Sequence, residues 1–204
     1  PAVSGHIRCG FFFPKEAQVD NVRLMQALSI ACRRAGVTLH EGRTVKRLKV
    51  EGGAVRGVVT DDGLIAADIV VNCLGSWAQF GGLRLRSPVE PVRGQMLAFQ
   101  GPKGLFRHVV MSDRAYVVQR RDGRLIVGST IERAGYHKAL TVEGMHQILC
   151  GVRRFSRALA QCTFLDAWAG LRPHTSDLLP ILGATPIRGL YAATHVVRKA
   201  WWRR

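Results

Sequence analysis

Asp68-Ile69-Val70-Val71-Asn72-Cys73-Leu74-Gly75 is the stretch on which the reading of the fold turns. A short apolar run that ends in glycine reads as a buried strand. Upstream, Asp20 can cap a helix from about Asn21 to Ala35. Leu24, Leu28, Ala31 and Ala35 form an apolar stripe at helical spacing, and Gly36 is a natural stop. Val37-Thr38-Leu39-His40 then reads as a short strand. Three β-rich segments follow, Val45 to Val50, Ala54 to Thr60 and Leu64 to Ala67. They are divided by Gly52-Gly53 and Asp62-Gly63, both hairpin signals.

The succession of helix, strand, three-stranded meander, apolar strand and glycine resembles the second half of a dinucleotide-binding α/β domain. In such a domain the last parallel strand brings its end close to the cofactor. An unrelated α+β layer accounts for the elements but not for that order. Downstream the character changes. Val89 to Phe99, Phe106 to Met111, Ala115 to Arg120 and Arg124 to Ile131 are strand-like, with Arg121-Asp122-Gly123 as a tight turn. A mostly antiparallel sheet is expected there. A helix from Thr141 to about Leu159 covers it, with Thr141 as cap and Met145, Ile148, Val152 and Phe155 on one face. Cys162 to Gly170 returns as a strand, and Gly189 to Thr194 supplies a last apolar one.

Composition excludes several classes. With 204 residues, 47% hydrophobic and 22% charged, the chain reads as globular. Its apolar runs, Ile69-Val70-Val71 and Phe11-Phe12-Phe13 among them, are too short to span a bilayer. Five widely spaced cysteines without a Cys-x-x-Cys pair argue against a zinc site or a disulfide framework, so no metal and a cytoplasmic location are expected. The net charge of +16 attracts polyanions, but the arginines are dispersed and no basic arm or RNA-binding signature occurs. Specific nucleic-acid binding is not expected.

The segment Trp168-Ala169-Gly170-Leu171-Arg172-Pro173 places one arginine at the end of an apolar run, before a proline that stops regular pairing. A guanidinium held there matches a carboxylate in two parallel hydrogen bonds. The carboxylate can belong to a structural acid or to a ligand, and spacing alone leaves both open.

Together these segments resemble the FAD-dependent amino-acid oxidase family, most closely its glycine oxidase branch. The resemblance rests on Glu16 to Asp20, Ala67 to Trp77, Pro91 to Leu97, Ala115 to Val118, Gly123 to Thr130, Trp168 to Pro173 and Pro180 to Gly183. It implies an α/β fold with an α+β part. The partial FAD/NAD(P)-binding Rossmann-like domain occupies 1–86, the antiparallel substrate-binding sheet 87–170, and 171–204 returns to the first domain. It also implies that Arg172 grips the substrate carboxylate and that Tyr116 lies near it. Val45 would meet the adenine end of FAD. Leu74, Gly75 and Trp77 would pass the cofactor at the strand end, and Gly94 and Gln95 would lie beneath flavin and substrate.

The implied chemistry is hydride transfer from Cα of glycine or a similar small amine to FAD, followed by imine hydrolysis. Oxygen then reoxidises the flavin to give hydrogen peroxide, with a link to thiamine biosynthesis. No side chain stands out as a general base or other catalytic group. Sarcosine oxidase or D-amino-acid dehydrogenase-like activity, or a non-catalytic basic binding protein on the same scaffold, are the alternatives. A homo-oligomer is compatible with this reading.

The family pattern departs at two places. No Gly-x-Gly-x-x-Gly turn is present, and 195–204 replace the family's Gly-His-aromatic-Arg-x-Gly turn, so no role passes to Arg198. The chain is therefore expected to be a fragment, truncated at both ends.

Overall fold

The computed structural model describes residues 3–5, 7–79, 83, 85 and 87–194. In chain order the elements are helix α1 (Asn21–Arg34) and strands β1 (Val45–Glu51), β2 (Ala54–Thr60), β3 (Gly63–Ala66) and β4 (Val70–Asn72). There follow β5 (Glu90–Gln100), β6 (Val110–Met111), β7 (Tyr116–Gln119) and β8 (Arg124–Gly128), then helix α2 (Val142–Phe155). The last are β9 (Thr163–His174), β10 (Ile181–Ala184) and β11 (Leu190–Thr194). The chain divides into two compact units, one of 1–20 and 93–171, the other of 21–92 and 172–204.

In the first unit, strands lie in the order β6-β7-β8-β5-β9, and the pairs β6/β7, β7/β8 and β8/β5 are antiparallel. Register aligns Val117 with Val127 and Val127 with Leu97, so three buried side chains form one row across three strands. Leu125 and Phe99 form the next pair of that face. Helix α2 covers it with Ile148, Val152 and Phe155, the stripe expected from sequence, while Met145 is only partly buried. Thr141 caps the helix by accepting from the Gly144 N–H at 3.1 Å. The β7–β8 turn is closed by Asp122, whose Oδ1 accepts from the Arg124 N–H at 3.1 Å, with Gly123 at φ +96°.

The N-terminal segment belongs to this unit, not to the α/β part with which the sequence grouped it. Ser4 N–H donates to Phe155 O at 2.7 Å, and Gln18 Nε2 donates to Gln119 O at 3.3 Å. Asp20, expected as a helix cap, lies 3.7 Å from the Arg124 guanidinium.

The second unit holds two three-stranded sheets. One is the antiparallel meander β1-β2-β3, and the other has the order β10-β11-β4. There β10/β11 is antiparallel and β11/β4 parallel, with Ala192 beside Asn72. Gly189 sits at φ +78° at the head of β11, and any Cβ there would meet the Asp68 carbonyl, so close approach of backbones requires glycine.

Several sequence expectations fail in instructive ways. Val37–His40 is no strand, because no partner among the described residues completes a ladder. The stretch 68–75 contributes only Val70–Asn72, and β4 is an edge strand with Val71 exposed, where a buried strand was expected. None of the α1 residues is buried, so its apolar stripe covers nothing among the described residues. Phe106–Met111 shortens to Val110–Met111, and the second helix ends at Phe155, followed by a separate 3-10 turn at Ala158–Gln161. β10 was missed because its four residues become a strand only by pairing with β11. The sequence departure at 195–204, with Arg198, lies outside the described residues.

Candidate active site

Parallel strands in an α/β sheet deliver their C-terminal ends, and the loops beyond them, to one edge where ligands bind. In the second unit Asn72, the last residue of β4, pairs with Ala192, two residues before β11 ends, and β4 runs on through Cys73 into a 3-10 turn at Gly75–Trp77. Asn72 shapes that turn. It is buried, its Nδ2 donates to Ala78 O at 2.7 Å, and its Oδ1 accepts from the Leu74 N–H at 3.0 Å. Gly75 has φ +55°, and the space where its Cβ would lie is open. Leu74 and Trp77 are exposed. The sequence-predicted residues Leu74, Gly75 and Trp77 are thus gathered in one turn.

At the end of β11, Thr194 is only 1% exposed and its hydroxyl has no hydrogen-bond partner among the described residues. A buried hydroxyl without a partner is costly, on the order of 1–3 kcal/mol, unless a ligand supplies one. This orphaned donor and the open glycine turn fit a bound group at that edge. Thr194 and Asn72 were not singled out as site residues from sequence. The only signal was their position at the ends of two apolar runs. Val45 stands elsewhere in the unit, half-buried at the head of β1 and paired with Thr60.

In the first unit, Tyr116 is half-buried on β7 opposite Gly128, and its hydroxyl donates to Met96 Sδ at 3.3 Å. Gly128 makes room for both, since a Cβ there would collide with Met96 and come within 3.3 Å of the tyrosine oxygen. Gly94 and Gln95 are buried in β5. The Gln95 side chain, fully buried, is committed to a polar network. Its Nε2 donates to Glu132 Oε1 at 2.8 Å and Thr141 Oγ1 at 2.9 Å, and its Oε1 accepts from the Thr141 N–H at 2.9 Å. Its amide therefore holds the start of α2.

Arg93 completes this network through Nε to Glu132 Oε2 at 2.9 Å and Nη1 to Ala139 O at 2.9 Å. Burial would raise the Glu132 pKa, but hydrogen bonds from Thr130, Arg93 and Gln95 and the Arg93 charge outweigh it and hold the carboxyl below the usual value. Burial pushes the Cys162 thiol up, so it is a poor nucleophile. Arg172 is half-buried near the end of β9 and is grouped with the second unit, whereas Tyr116, Gly94 and Gln95 are grouped with the first. Among the described residues no cluster of His, Cys, Asp and Glu is arranged to hold a metal ion.

A parallel strand pair ending in a glycine turn, with a separate antiparallel sheet unit, defines a mixed α/β fold. The chain belongs to the family described as FAD dependent oxidoreductase, whose model matches residues 1–201. It is 37% identical over 198 residues to a bifunctional protein ThiO/ThiG of Synechocystis sp., covering 95% of this chain and 30% of that protein. It is 34% identical over 189 residues to a glycine oxidase of Pseudomonas putida, covering 91% and 52%. The fold is similar to the crystal structure of glycine oxidase from Bacillus cereus ATCC 14579, with a TM-score of 0.78, 28% identity, and coverage of 85% of this chain and 49% of that one. The chain thus spans between about a third and a half of the length of these proteins.

Proposed function

We propose that this chain carries the substrate-binding part, and one edge of the cofactor site, of an FAD-dependent oxidase of glycine or a comparably small amino acid. The observation that carries the proposal is the β4/β11 pair, in which β4 runs on into the Gly75 turn and β11 ends at Thr194, whose buried hydroxyl has no partner among the described residues, in a member of an FAD-dependent family. The glycine oxidase of Pseudomonas putida supports the choice of substrate. The ThiO/ThiG relative supports a link to thiamine biosynthesis.

Bound FAD would accept hydride from the substrate Cα and pass the electrons to oxygen. The residues of the chain bind and orient. The Leu74–Trp77 turn and Thr194 would hold the cofactor's edge, with Val45 contributing backbone at its adenine end and Gly94 allowing close approach. The Arg172 guanidinium would hold the substrate carboxylate in two parallel hydrogen bonds. Holding the amine by its carboxylate fixes the direction in which Cα is presented, and such positioning accounts for much of the rate in reactions of this kind. No helix among the described residues is long and apolar enough to cross a membrane. All five cysteines are free, which supports a reducing, cytoplasmic setting.

The test uses the protein in the longest form its reading frame encodes, assayed for flavin absorbance and for peroxide released with glycine, sarcosine or D-alanine. Glycine-dependent peroxide is expected. Arg172→Met should lower kcat/KM about 100-fold, chiefly through KM, the loss of roughly 3 kcal/mol expected for a charge-assisted pair. A protein with neither flavin nor amine-dependent turnover would overturn the proposal. Steeply salt-dependent binding of nucleic acid in such a protein would favour the basic-scaffold alternative.

A further inference from the structure

Helix α2 buries Gly144, Ile148, Gly151, Val152 and Phe155, which leaves His146, Cys150, Arg153 and Arg154 exposed on its other side. Residues three and four apart are neighbours on a helix surface. Cys150 therefore has His146 one turn before it and Arg153 and Arg154 one turn after it. The contact with the histidine is formed: Cys150 Sγ lies 3.4 Å from His146 Nε2 and 3.9 Å from Nδ1. A neutral imidazole carries one bare ring nitrogen, which accepts a proton from such a thiol. The acid on this side of the helix, Glu143, is engaged by Gln147, whose Nε2 donates to its Oε1 at 2.9 Å. Among the described residues neither Arg153 nor Arg154 is in an ion pair. The other thiols differ. Cys9 and Cys73 are exposed, but no histidine is bonded to either among the described residues. Cys162 is partly buried and its thiol donates to Ala158 O at 3.7 Å.

We infer that Cys150 is a modification site for thiol–disulfide exchange with small disulfides that carry carboxylates. The Cys150 sulfur attacks one sulfur of the reagent as its proton passes to His146. A new S–S bond forms, the old one breaks, and the departing thiolate takes the proton from the imidazolium. One thiol is consumed and one released, so no further oxidant is required. Arg153 and Arg154 select the charge of the reagent. Their guanidinium forks match carboxylates, and their field concentrates anions beside the sulfur. Covalent chemistry fits the pair better than metal binding does. Protein metal sites take three or four side-chain ligands, and no third one joins Cys150 and His146 among the described residues. This inference is independent of the proposed oxidase activity.

The test incubates the protein, in the longest form its reading frame encodes and without amine substrate, with glutathione disulfide or with the cationic disulfide cystamine. Peptide mass spectrometry gives the rate of adduct formation at each cysteine. With glutathione disulfide, Cys150 should react about tenfold faster than Cys9, within the range that a local field gives to encounter rates. With cystamine that preference should be lost. His146→Ala should slow the reaction at Cys150 about tenfold, and added imidazole should restore part of it, because a proton acceptor has been returned. Arg153→Gln combined with Arg154→Gln should slow glutathione disulfide but not cystamine. All three positions are exposed, so the variants should keep the thermal melt of the parent. Equal rates at Cys150 and Cys9 with glutathione disulfide would overturn the inference, and so would a parental rate in either variant. Amine turnover is not read, so failure here leaves the proposed activity standing, and the converse also holds.

Discussion

Gln95 and Thr141 clasp each other at two points. The glutamine Oε1 accepts from the threonine N–H at 2.9 Å while its Nε2 donates to the threonine Oγ1 at 2.9 Å. The same Oγ1 accepts from Gly144, so the cap of α2 and an inward-facing residue of β5 form a single hydrogen-bonded unit. The helix is thereby seated on the sheet by polar bonds at its start and by Ile148, Val152 and Phe155 beyond. Thr141→Ala should cost about 1 kcal/mol for the cap, and more if Nε2 loses one of its acceptors without replacement. Denaturant unfolding of the variant measures the sum.

Gly144→Ala tests how tightly that clasp is packed. In a helix interior alanine is ordinarily favoured over glycine by roughly 1 kcal/mol. Here a Cβ would collide with the Gln95 amide, which is held by three hydrogen bonds to Glu132 and Thr141. Overpacking costs about 1–3 kcal/mol, so the expected net effect is destabilising. A raised melting temperature would show that the amide moves freely.

Glu132 gives the first unit an acid limit. Its pKa is depressed in the folded chain, so the stability it contributes is present above the unfolded value of about 4.3 and is lost as pH falls through the folded value. Glu132→Gln keeps the shape but leaves the buried Arg93 guanidinium facing a neutral amide. A loss of about 1.5–3 kcal/mol at pH 7 is expected, the range for a hydrogen bond to a charged group. The loss should shrink towards pH 3, and melting curves across that range would reveal it.

Leu125→Ala and Leu28→Ala should separate the two kinds of apolar residue. Leu125 is wholly buried in the core of the first unit, and truncation should cost about 2–5 kcal/mol. Leu28 is exposed on α1, and the same truncation should stay within about 0.5 kcal/mol in the free chain.

Thr194→Val probes the orphaned hydroxyl. With no partner to lose among the described residues, the flavin-free chain should be unchanged or more stable. On the proposed function, flavin affinity of the protein in the longest form its reading frame encodes should fall, read from absorbance after equilibrium dialysis. Loss of stability without flavin would instead assign Thr194 a structural role.

Local pattern determined much of this molecule. The hairpins around Gly52-Gly53 and Asp62-Gly63, the Thr141 cap and the α2 stripe follow from turn chemistry and periodicity within a few residues. The order of helix, strand, meander, apolar strand and glycine pointed to the α/β part, while Leu74, Gly75 and Trp77 were named through the family resemblance and lie together in one turn. What only the tertiary structure decided is pairing and polar commitment. Val37–His40 has strand-forming residues but pairs with no strand among the described residues, and β10 has few such signals but pairs with β11. Gln95 could not be recognised as a structural clasp, because its partners Glu132 and Thr141 lie 37 and 46 residues away. A strand or a buried amide is stable only when another part of the chain completes its hydrogen bonds, and that partner is a property of the fold.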